Sequence, residues 1–449
     1  MQASPETVTA ATTAGVASPV ESAAAVTLRA RRPALVHSAW ALVLSRLVVW
    51  IGGIAGVFLL GANPAGLTPA GLAPLEVSGL ILRRWPIGEL LVAPAFRWDS
   101  GWYYAIAEGG YPVHAGSAYT PKMAFFPLYP VLVAALHSVG LPTITSGIAL
   151  SLACMFAALY GLHRLTTSEF SWRGRERASQ AALMAVMLMA FIPSSLFLSA
   201  FYSDGLFAAL VVGCLTCARK SRWAPAATLA GLAALTRPNG IALCVPILLF
   251  YFYGPREDRA PDRGRKFAPR YRMRTDALWV LLAPLMLGCF CVYIAARGAS
   301  PLGPFEAQGA WSRSFGGPLS SLWIGLGVGW HGALQAIGLE RATIAHPAIE
   351  AAGLLFALIA IVGVIATFRL LPVAYGGYML AMTLGILSYP VTAEPLTSVP
   401  RFVLPLVPLY MCGGWWLARR PRTGWVLVAL CAIGLAVLSA RFAAWKWVA

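Results

Sequence analysis

The sequence predicts an all-α, polytopic membrane protein, and three observations lead to that fold class. Of its 449 residues, 59% are hydrophobic and 11% are charged, whereas a soluble domain carries roughly 25% charged residues. The mean hydropathy is +0.71. Apolar runs of about 15 to 23 residues recur along the chain, and several are long enough to cross a hydrocarbon core of about 30 Å.

Taken in order, these runs give about eleven predicted transmembrane helices, with juxtamembrane helices in a large loop after the first. The predicted spans cover 36–60, 143–163, 178–200, 205–218, 224–236, 240–253, 277–296, 347–368, 372–390, 402–418 and 424–440. The run 124–140 is also apolar, but Pro127 and Pro130 interrupt it, so we expect a helix that lies on the membrane surface or dips into it.

Residues 1–33 are expected to form a disordered cytoplasmic tail, followed by one transmembrane domain over 34–449. The start of the chain is rich in Ala, Thr, Ser and Val and has no Lys or Arg before Arg29. A secretory signal peptide would begin with basic residues and continue into a compact apolar core, so this stretch does not fit one.

The distribution of basic residues predicts the orientation. With the N-terminus in the cytoplasm and every span crossing, 22 of the 34 Lys and Arg residues fall on the cytoplasmic side, eight of them in the loop 254–276. Lys and Arg are enriched in cytoplasmic loops of membrane proteins. The sequence therefore predicts a multi-pass plasma membrane protein whose outer face carries the first loop, 61–142, and a second long loop, 297–346.

Composition also argues against two other kinds of function. The net charge of +17 is explained by membrane orientation, so no nucleic-acid partner is expected. The eight cysteines lie almost entirely in apolar runs, and Cys214 and Cys217 have no second pair at zinc-ligand spacing. We therefore expect buried, unreactive thiols and not a cysteine zinc site.

The stretch FRWDSGWYYAIAEGGY, residues 96–111, places Asp99 among aromatic rings at the membrane edge. Asp99 could cap a helix, although Trp102 stands where a capping box has Glu or Gln. Trp and Tyr are also common interface anchors. From these residues alone, capping and a catalytic or ligand-binding role are equally favoured.

Three further motifs place charges where the predicted outer loops meet spans. FLSAFYSDG contains Tyr202 and Asp204, LTRPNGI contains Arg237, and SVPRFVLPLVP contains Arg401. Each alone is better explained as a helix cap, a turn or an arginine whose head group reaches the interface.

Together these charges indicate a site, because ionisable residues at a membrane are costly and tend to mark functional positions. Two carboxylates with Arg97, Arg237, Arg313 and Arg401 suit an anionic ligand. Arginine binds phosphate oxygens in pairs, a carboxylate can take a proton from an attacking hydroxyl, and rings suit a sugar. A sugar linked to a lipid phosphate meets all three conditions.

The combination of FRWDSGWYYAIAEGGY, AFFPLYPVL, SSLFLSAFYSDGLFA, LTRPNGI, PLGPFEAQGAWSR and SVPRFVLPLVP resembles the PIG-V family. That family comprises GPI mannosyltransferase II and its bacterial relatives, within the GT-C superfamily of multi-span glycosyltransferases. The resemblance implies inverting transfer of a sugar, mannose being the expected one, from a polyprenyl-phosphate donor to a hydroxyl of a glycan, lipoglycan or protein acceptor. It also implies that Asp99, in the first outer loop, is the general base.

The resemblance and the motifs together define the predicted site. Asp99 is the catalytic residue, and Asp204 is expected to support it rather than to act as a nucleophile. No cofactor is expected, because the first outer loop lacks an Asp-x-Asp pair that could hold a metal on the phosphate, although a divalent metal is left open. Ser300 stands where the resemblance leads us to expect Asp, so no acidic contact is expected there. The predicted substrate-binding residues are Arg97, Trp98, Tyr103, Tyr104, Lys122, Tyr202, Asp204, Arg237, Asn239, Gln308, Trp311, Arg313 and Arg401.

The alternative function is a transporter or flippase of a lipid-linked sugar. It would use the same arginines and rings without a base, and it should show inverted repeats with broken helices at mid-membrane. No such repeat is visible in the sequence, and the single large outer loop favours an enzyme. The Ala-, Arg- and Gly-rich composition is typical of a bacterium with GC-rich DNA, and it does not identify the acceptor.

Overall fold

The computed structural model describes residues 19–61, 86–111, 119–262 and 268–448, and helices dominate these ranges. The chain is therefore an all-α protein, as predicted. We number the α-helices in chain order. They are α1 Pro19–Leu60, α2 Pro86–Val92, α3 Ser100–Gly109, α4 Leu128–Ser138, α5 Thr143–Phe170, α6 Arg175–Phe191, α7 Asp204–Arg219, α8 Trp223–Ala234, α9 Cys244–Tyr253, α10 Leu282–Ala296, α11 Gly303–Glu306, α12 Ser320–Ala336, α13 Pro347–Leu370, α14 Val373–Ile386, α15 Val399–Phe402, α16 Val407–Leu417 and α17 Pro421–Ala443.

Five helical segments in the described ranges are long and apolar enough to cross a membrane, which makes the chain a multi-pass membrane protein. They are Arg32–Leu60, Thr143–Arg173, Thr275–Ala296, Pro347–Leu370 and Pro421–Ala443. Each of them overlaps one of the predicted spans.

The other six predicted spans correspond to shorter or interrupted helices, so the total of eleven stays a prediction. Proline explains two of the interruptions, because it lacks an N–H and cannot continue a helix ladder. Helix α6 ends at Phe191 and the chain continues from Pro193 as a 3₁₀ turn. Likewise, α15 and α16 are separate helices with Pro405 between them.

Two regions differ from the sequence prediction. Helix α1 begins at Pro19, so the predicted disordered tail is wrong for residues 19–33, and residues 1–18 lie outside the described residues. Alanine-rich sequence at Ala23–Ala25 favours a helix there.

The second difference lies in the predicted loop 297–346, which contains the 17-residue helix α12. Glycine gives this segment low helix propensity, and packing against α13 compensates. A Cβ at Gly329 would lie 2.7 Å from the Leu354 side chain, and one at Gly332 would lie 2.7 Å from the Pro347 carbonyl oxygen.

The helices after α1 are short in the segment that the sequence analysis placed in the first outer loop. The longest, α4, has 11 residues, with Pro127 just before it and Pro130 in its first turn. At 1.5 Å per residue it covers only about 17 Å, too little to cross a bilayer alone. It packs against α3 and α5, which places the stretch around Asp99 beside the long helix α5.

Helices α5 and α7 run side by side in the same direction and define two ends of the bundle. Near their beginnings, a Cβ at Gly205 would lie 2.9 Å from the carbonyl oxygen of Ser151. Near their other ends, Arg219 Nε lies 2.7 Å from Glu169 Oε1. We call the end with Ser151 and Gly205 the site end and the end with Glu169 and Arg219 the basic end.

The first and last membrane-length helices pack through small residues. A Cβ at Gly52 would lie 2.8 Å from the Ala436 carbonyl oxygen, and one at Gly56 would lie 2.3 Å from that of Ala440. Glycines spaced four apart allow two membrane helices to approach closely and gain van der Waals contact. This contact between α1 and α17 closes the bundle.

We expect Gly56→Leu to lower the free energy of unfolding by about 1–3 kcal/mol, because the added side chain must force α1 and α17 apart. Gly288→Leu in α10 is the matched control, since a Cβ there meets no atom within 4 Å. Thermal unfolding of both variants in detergent measures the effect. Equal melting temperatures for the two variants would contradict this account of the α1–α17 contact.

Candidate active site

Two carboxylates and two guanidiniums from four separate parts of the chain form one network at the site end. Arg401 bridges the carboxylates: its Nη1 lies 2.7 Å from Asp99 Oδ2 and its Nε lies 3.1 Å from Asp204 Oδ2. Arg237 pairs with the same Asp204 oxygen and donates from Nε to Ser203 Oγ at 3.2 Å. The network therefore runs from Asp99 through Arg401 and Asp204 to Arg237.

Each of these four residues stands at or beside the start of a helix or turn. Asp99 precedes α3, and Asp204 is the first residue of α7. Arg237 precedes the 3₁₀ turn Pro238–Leu243, and Arg401 lies in the short helix α15. The chain changes direction at these points, which allows side chains from distant segments to meet.

Asp99 is positioned by its backbone and not by capping. Its N–H donates to Tyr202 Oη at 3.0 Å, and that hydroxyl donates to the Arg97 carbonyl oxygen at 3.0 Å. Its side chain makes no capping hydrogen bond to α3, so the capping alternative is excluded. The carboxylate points to Arg401 instead, and 28% of the side chain is exposed.

Asp204 is buried, whereas Asp99 is partly exposed. The Asp204 side chain is 1% exposed, and both arginines of the network contact it. A buried carboxylate is stable only when charges and hydrogen bonds compensate for its lost hydration. Burial alone would lower the pKa of Arg401, but the attraction of Asp204 and Asp99 outweighs this effect and raises that pKa.

Arg313 adds a third guanidinium. Its central carbon lies 4.9 Å from the centroid of the Phe402 ring. Burial, together with repulsion from Arg401, lowers the pKa of Arg313 to about 10, which still leaves it charged at neutral pH. Within the described part of the chain, no carboxylate is within ion-pair distance of Arg313. With it, the two carboxylates and three arginines carry a net charge of +1, which attracts an anion.

Aromatic rings stand beside the network. Trp102 stacks on Phe125 with centroids 5.8 Å apart and an interplanar angle of 15°. Trp311 meets both rings edge-on, at 5.9 Å and 5.4 Å. Tyr103 shares a 2.7 Å hydrogen bond with Ser203, and burial raises its phenol pKa, so it remains protonated.

Comparison with known proteins finds a family that part of this chain resembles. Residues 72–252 match the family described as Mannosyltransferase (PIG-V). Over this segment, about two fifths of its length, the chain is similar to the PIG-V family. The matched segment contains Asp99, Asp204 and Arg237, whereas Arg313 and Arg401 lie beyond it. The match confirms the resemblance drawn from the sequence motifs.

Two individual proteins were also found to be similar. The chain is 31% identical over 153 residues to GPI mannosyltransferase 2 of Schizosaccharomyces pombe (strain 972 / ATCC 24843), covering 33% of this chain and 30% of that protein. It thus spans less than a third of the length of this curated relative. The cryo-EM structure of arabinosyltransferase EmbB from Mycobacterium smegmatis aligns with a TM-score of 0.34 and 16% identity, over 85% of this chain and 42% of EmbB.

One predicted site residue is directed away from the network. Arg97 donates from Nε to the Ala443 carbonyl oxygen at 3.1 Å, and its guanidinium lies 5.0 Å from the Trp445 ring. It is 1% exposed. Arg97 therefore fixes the first-loop segment to the end of α17, and its contact with substrate stays a prediction.

Five other predicted residues lie around the network with less specific contacts. The Trp98 ring meets those of Trp445 and Trp447 at 5.8 Å and 5.1 Å, and Tyr104 meets Phe96 edge-on at 6.0 Å. The remaining three, Lys122, Asn239 and Gln308, are half-buried. Burial lowers the pKa of Lys122, and the Gln308 backbone carbonyl oxygen accepts from the Arg313 backbone N–H at 3.4 Å. Substrate contacts of these five residues stay predictions.

Sequence reasoning missed several residues that hold the site together. Ser203 contacts both Tyr103 and Arg237. Phe197 lies 5.1 Å from the Arg401 guanidinium carbon, while the predicted Tyr202 lies 4.6 Å from it. Rings in such positions stabilise a buried cation. Ser203 stands inside the quoted YSD motif, but Phe197 resembles any other core residue in the sequence.

The described ranges contain no group of three or more His, Cys, Asp or Glu residues placed to hold a metal ion. The cysteines are free thiols, and Cys214 is buried. The chemistry that these side chains can supply is therefore proton acceptance by a carboxylate and binding of an anion by arginines.

Proposed function

We propose that this chain is an inverting membrane glycosyltransferase. It transfers a sugar, mannose in our proposal, from a polyprenyl-phosphate donor to a hydroxyl of a lipid-linked glycan, lipoglycan or other extracytoplasmic acceptor. The observation that carries the proposal is that Asp99 is the exposed end of a network whose other carboxylate is buried. The PIG-V match supports the choice of sugar.

The proposed membrane arrangement places the site on the extracytoplasmic side and the N-terminus in the cytoplasm of a bacterial cell. It is supported by the charges at one end of the bundle. Arg173, Arg177 and Arg419 lie together at the basic end. The loop 254–276, which has eight basic residues, meets the same end where Glu257 pairs with Arg219. A basic excess is typical of cytoplasmic segments.

In the proposed reaction, Asp99 is the general base. The acceptor oxygen forms a bond to the anomeric carbon while the bond from that carbon to the phosphate oxygen breaks. The phosphate oxygen takes the bonding electron pair, and an Asp99 carboxylate oxygen takes the hydroxyl proton. Asp99 Oδ2 is held by Arg401, and within the described residues Oδ1 makes no hydrogen bond, so Oδ1 is the atom to receive the proton.

The arginines stabilise the charge that develops on the leaving phosphate. Arg401 is central, because its Nη1 contacts Asp99 and, in this proposal, also contacts the donor phosphate. A donor phosphate that takes this Nη1 weakens its contact with Asp99. The carboxylate is then less tightly held by Arg401 when the donor is in place.

Asp204 holds the arginines in position. Its side chain is 1% exposed and contacts both Arg237 and Arg401, so neither oxygen is directed at open space. A retaining mechanism would need an accessible second carboxylate, with the pair roughly 5 Å apart in glycosidases. We therefore propose inversion with Asp204 as a positioning residue.

The aromatic rings complete the proposed donor site. Trp102 and Trp311 are half-buried and stand beside Phe125, so their faces offer apolar surface next to the charged network. One face of a sugar ring is lined with C–H groups that pack on such surface, while its phosphate needs the arginines. Aromatic rings next to arginines therefore suit a sugar phosphate better than rings or arginines alone.

We expect Asp99→Asn to lower the turnover number by about 10²- to 10⁴-fold with little change in donor affinity, because the amide cannot accept the proton. The matched control is Glu108→Gln, the same carboxylate-to-amide change in helix α3, which Asp99 precedes; the Gln amide oxygen can still accept the hydrogen bond from Thr143. Sugar transfer from a polyprenyl-phosphate donor by the purified proteins measures both. Near-normal turnover in Asp99→Asn would remove this residue from the role of base.

Arg237→Lys and Arg401→Lys should each raise the apparent KM for the donor, because lysine keeps the charge but loses the bidentate contact with phosphate. Replacement by Ala at either position should raise the KM further than replacement by Lys. Arg297→Lys is the control, since Arg297 is exposed at the end of α10. Initial rates over a range of donor concentrations give the KM values. Unchanged KM in both Ala variants would exclude these arginines from donor binding.

The product should have the anomeric configuration opposite to that of the donor, which NMR of the isolated product determines. Asp204→Asn should reduce the turnover number less than Asp99→Asn. It should also lower the melting temperature, because two buried arginines lose their shared carboxylate. A product with the donor's configuration, or a trapped glycosyl adduct on Asp204 seen by mass spectrometry, would contradict the mechanism.

A further inference from the structure

Three arginines converge on one buried indole ring at the basic end. The guanidinium carbons of Arg173, Arg177 and Arg419 lie 5.5, 5.9 and 5.3 Å from the centroid of Trp415. The Trp415 ring stacks on Phe170 with centroids 4.7 Å apart and an interplanar angle of 7°. The three arginines come from the turn after α5, the start of α6 and the residues after α16.

Close packing of two helices fixes this arrangement. A Cβ at Gly414, beside Trp415, would lie 2.3 Å from the Ala181 carbonyl oxygen and 2.7 Å from the Ala185 nitrogen. Helices α16 and α6 therefore touch backbone to backbone at this point. The positions of Arg177 and Arg419 follow from this rigid contact and not from the folding of a loop.

The charge of the three arginines is not balanced by protein. In the described ranges no carboxylate lies within ion-pair distance of any of them, and the nearby Glu169 pairs with Arg219. Like charges gathered around one ring repel each other. The Trp415 face offsets part of this repulsion, and an anion bound between the guanidiniums would offset the rest.

The cluster lies about one membrane thickness from the candidate active site. From Ser151, beside the start of α7, to Phe170, which stacks on Trp415, α5 rises about 28 Å. That length is close to the hydrocarbon core of a bilayer, about 30 Å. The cluster is thus placed at the opposite membrane surface from Asp99.

Exposed rings beside the cluster indicate that its ligand is part of the membrane. The Trp172 side chain is 74% exposed and lies 4.4 Å from the Arg173 guanidinium, and Trp416 is 50% exposed and lies 4.7 Å from that of Arg420. Tryptophan is enriched where headgroups meet acyl chains. Basic pockets between helices at the cytoplasmic surface suit anionic headgroups.

We propose that Arg173, Arg177 and Arg419 form a binding site for the phosphate of an anionic phospholipid headgroup. The guanidinium forks contact the phosphodiester oxygens, and the acyl chains pass the exposed Trp172 and Trp416. The ligand is an intact lipid and not a free phosphate, because the rings border the cluster on the side where acyl chains would lie.

The test is native mass spectrometry of the purified full chain with phosphatidylglycerol and phosphatidylcholine offered at equal concentration. The wild type should retain phosphatidylglycerol preferentially. Replacing Arg173, Arg177 and Arg419 together by Gln should weaken that binding by more than about 10-fold, and Arg419→Gln alone by about 5-fold. Replacement of all three by Lys, which keeps charge but loses the forks, should give an intermediate affinity.

The matched control replaces three exposed arginines of the basic loop, Arg270, Arg272 and Arg274, by Gln, which removes the same charge from the same end. Full retention in this control supports a specific site. Equal loss in the control and in the triple variant would overturn the proposal in favour of general surface charge. It also fails if the wild type shows no preference for phosphatidylglycerol, or if inorganic phosphate displaces the lipid at the same concentration. The single variant Arg419→Gln keeps the test decisive if the triple variant does not fold.

Discussion

The shared contact of Arg401 with two carboxylates is the interaction on which the candidate site depends. It connects Asp99, Asp204 and the segment before α16, which lie far apart along the chain. Asp204 and Arg401 are almost completely buried, so each needs the other to compensate for lost hydration. Loss of either partner would leave uncompensated charge among helices that otherwise pack through apolar contacts.

The sequence revealed the charged members of the site, because ionisable residues stand out between apolar runs. Asp99, Asp204, Arg237 and Arg401 were recognised in this way, but their pairing depends on how helices far apart in sequence pack. Arg97 shows the limit: the same motif placed it beside Asp99, yet its side chain reaches the Ala443 carbonyl at the opposite end of the chain. The direction in which a side chain points is set by tertiary packing, which the sequence motif does not show.

The fold was predictable where hydropathy and length agree, as in the five membrane-length helices. Prediction was less complete where proline divides an apolar run, since Pro193 and Pro405 turn continuous hydropathy into separate short elements. It failed for α12, whose glycines lower helix propensity but permit close contact with α13. In that helix tertiary packing overrides local preference.

The chain places arginines at both ends of the bundle in two different electrostatic states. At the site end Arg237 and Arg401 are already paired, so an incoming phosphate would have to compete with a carboxylate. In the proposed mechanism that competition makes binding weaker but reversible, and it would release Asp99 when the donor arrives. At the basic end Arg173, Arg177 and Arg419 have no carboxylate within ion-pair distance among the described residues, so an anion there would meet no competitor. Paired arginines suit a substrate that must leave as product, and unpaired ones suit a ligand that remains bound.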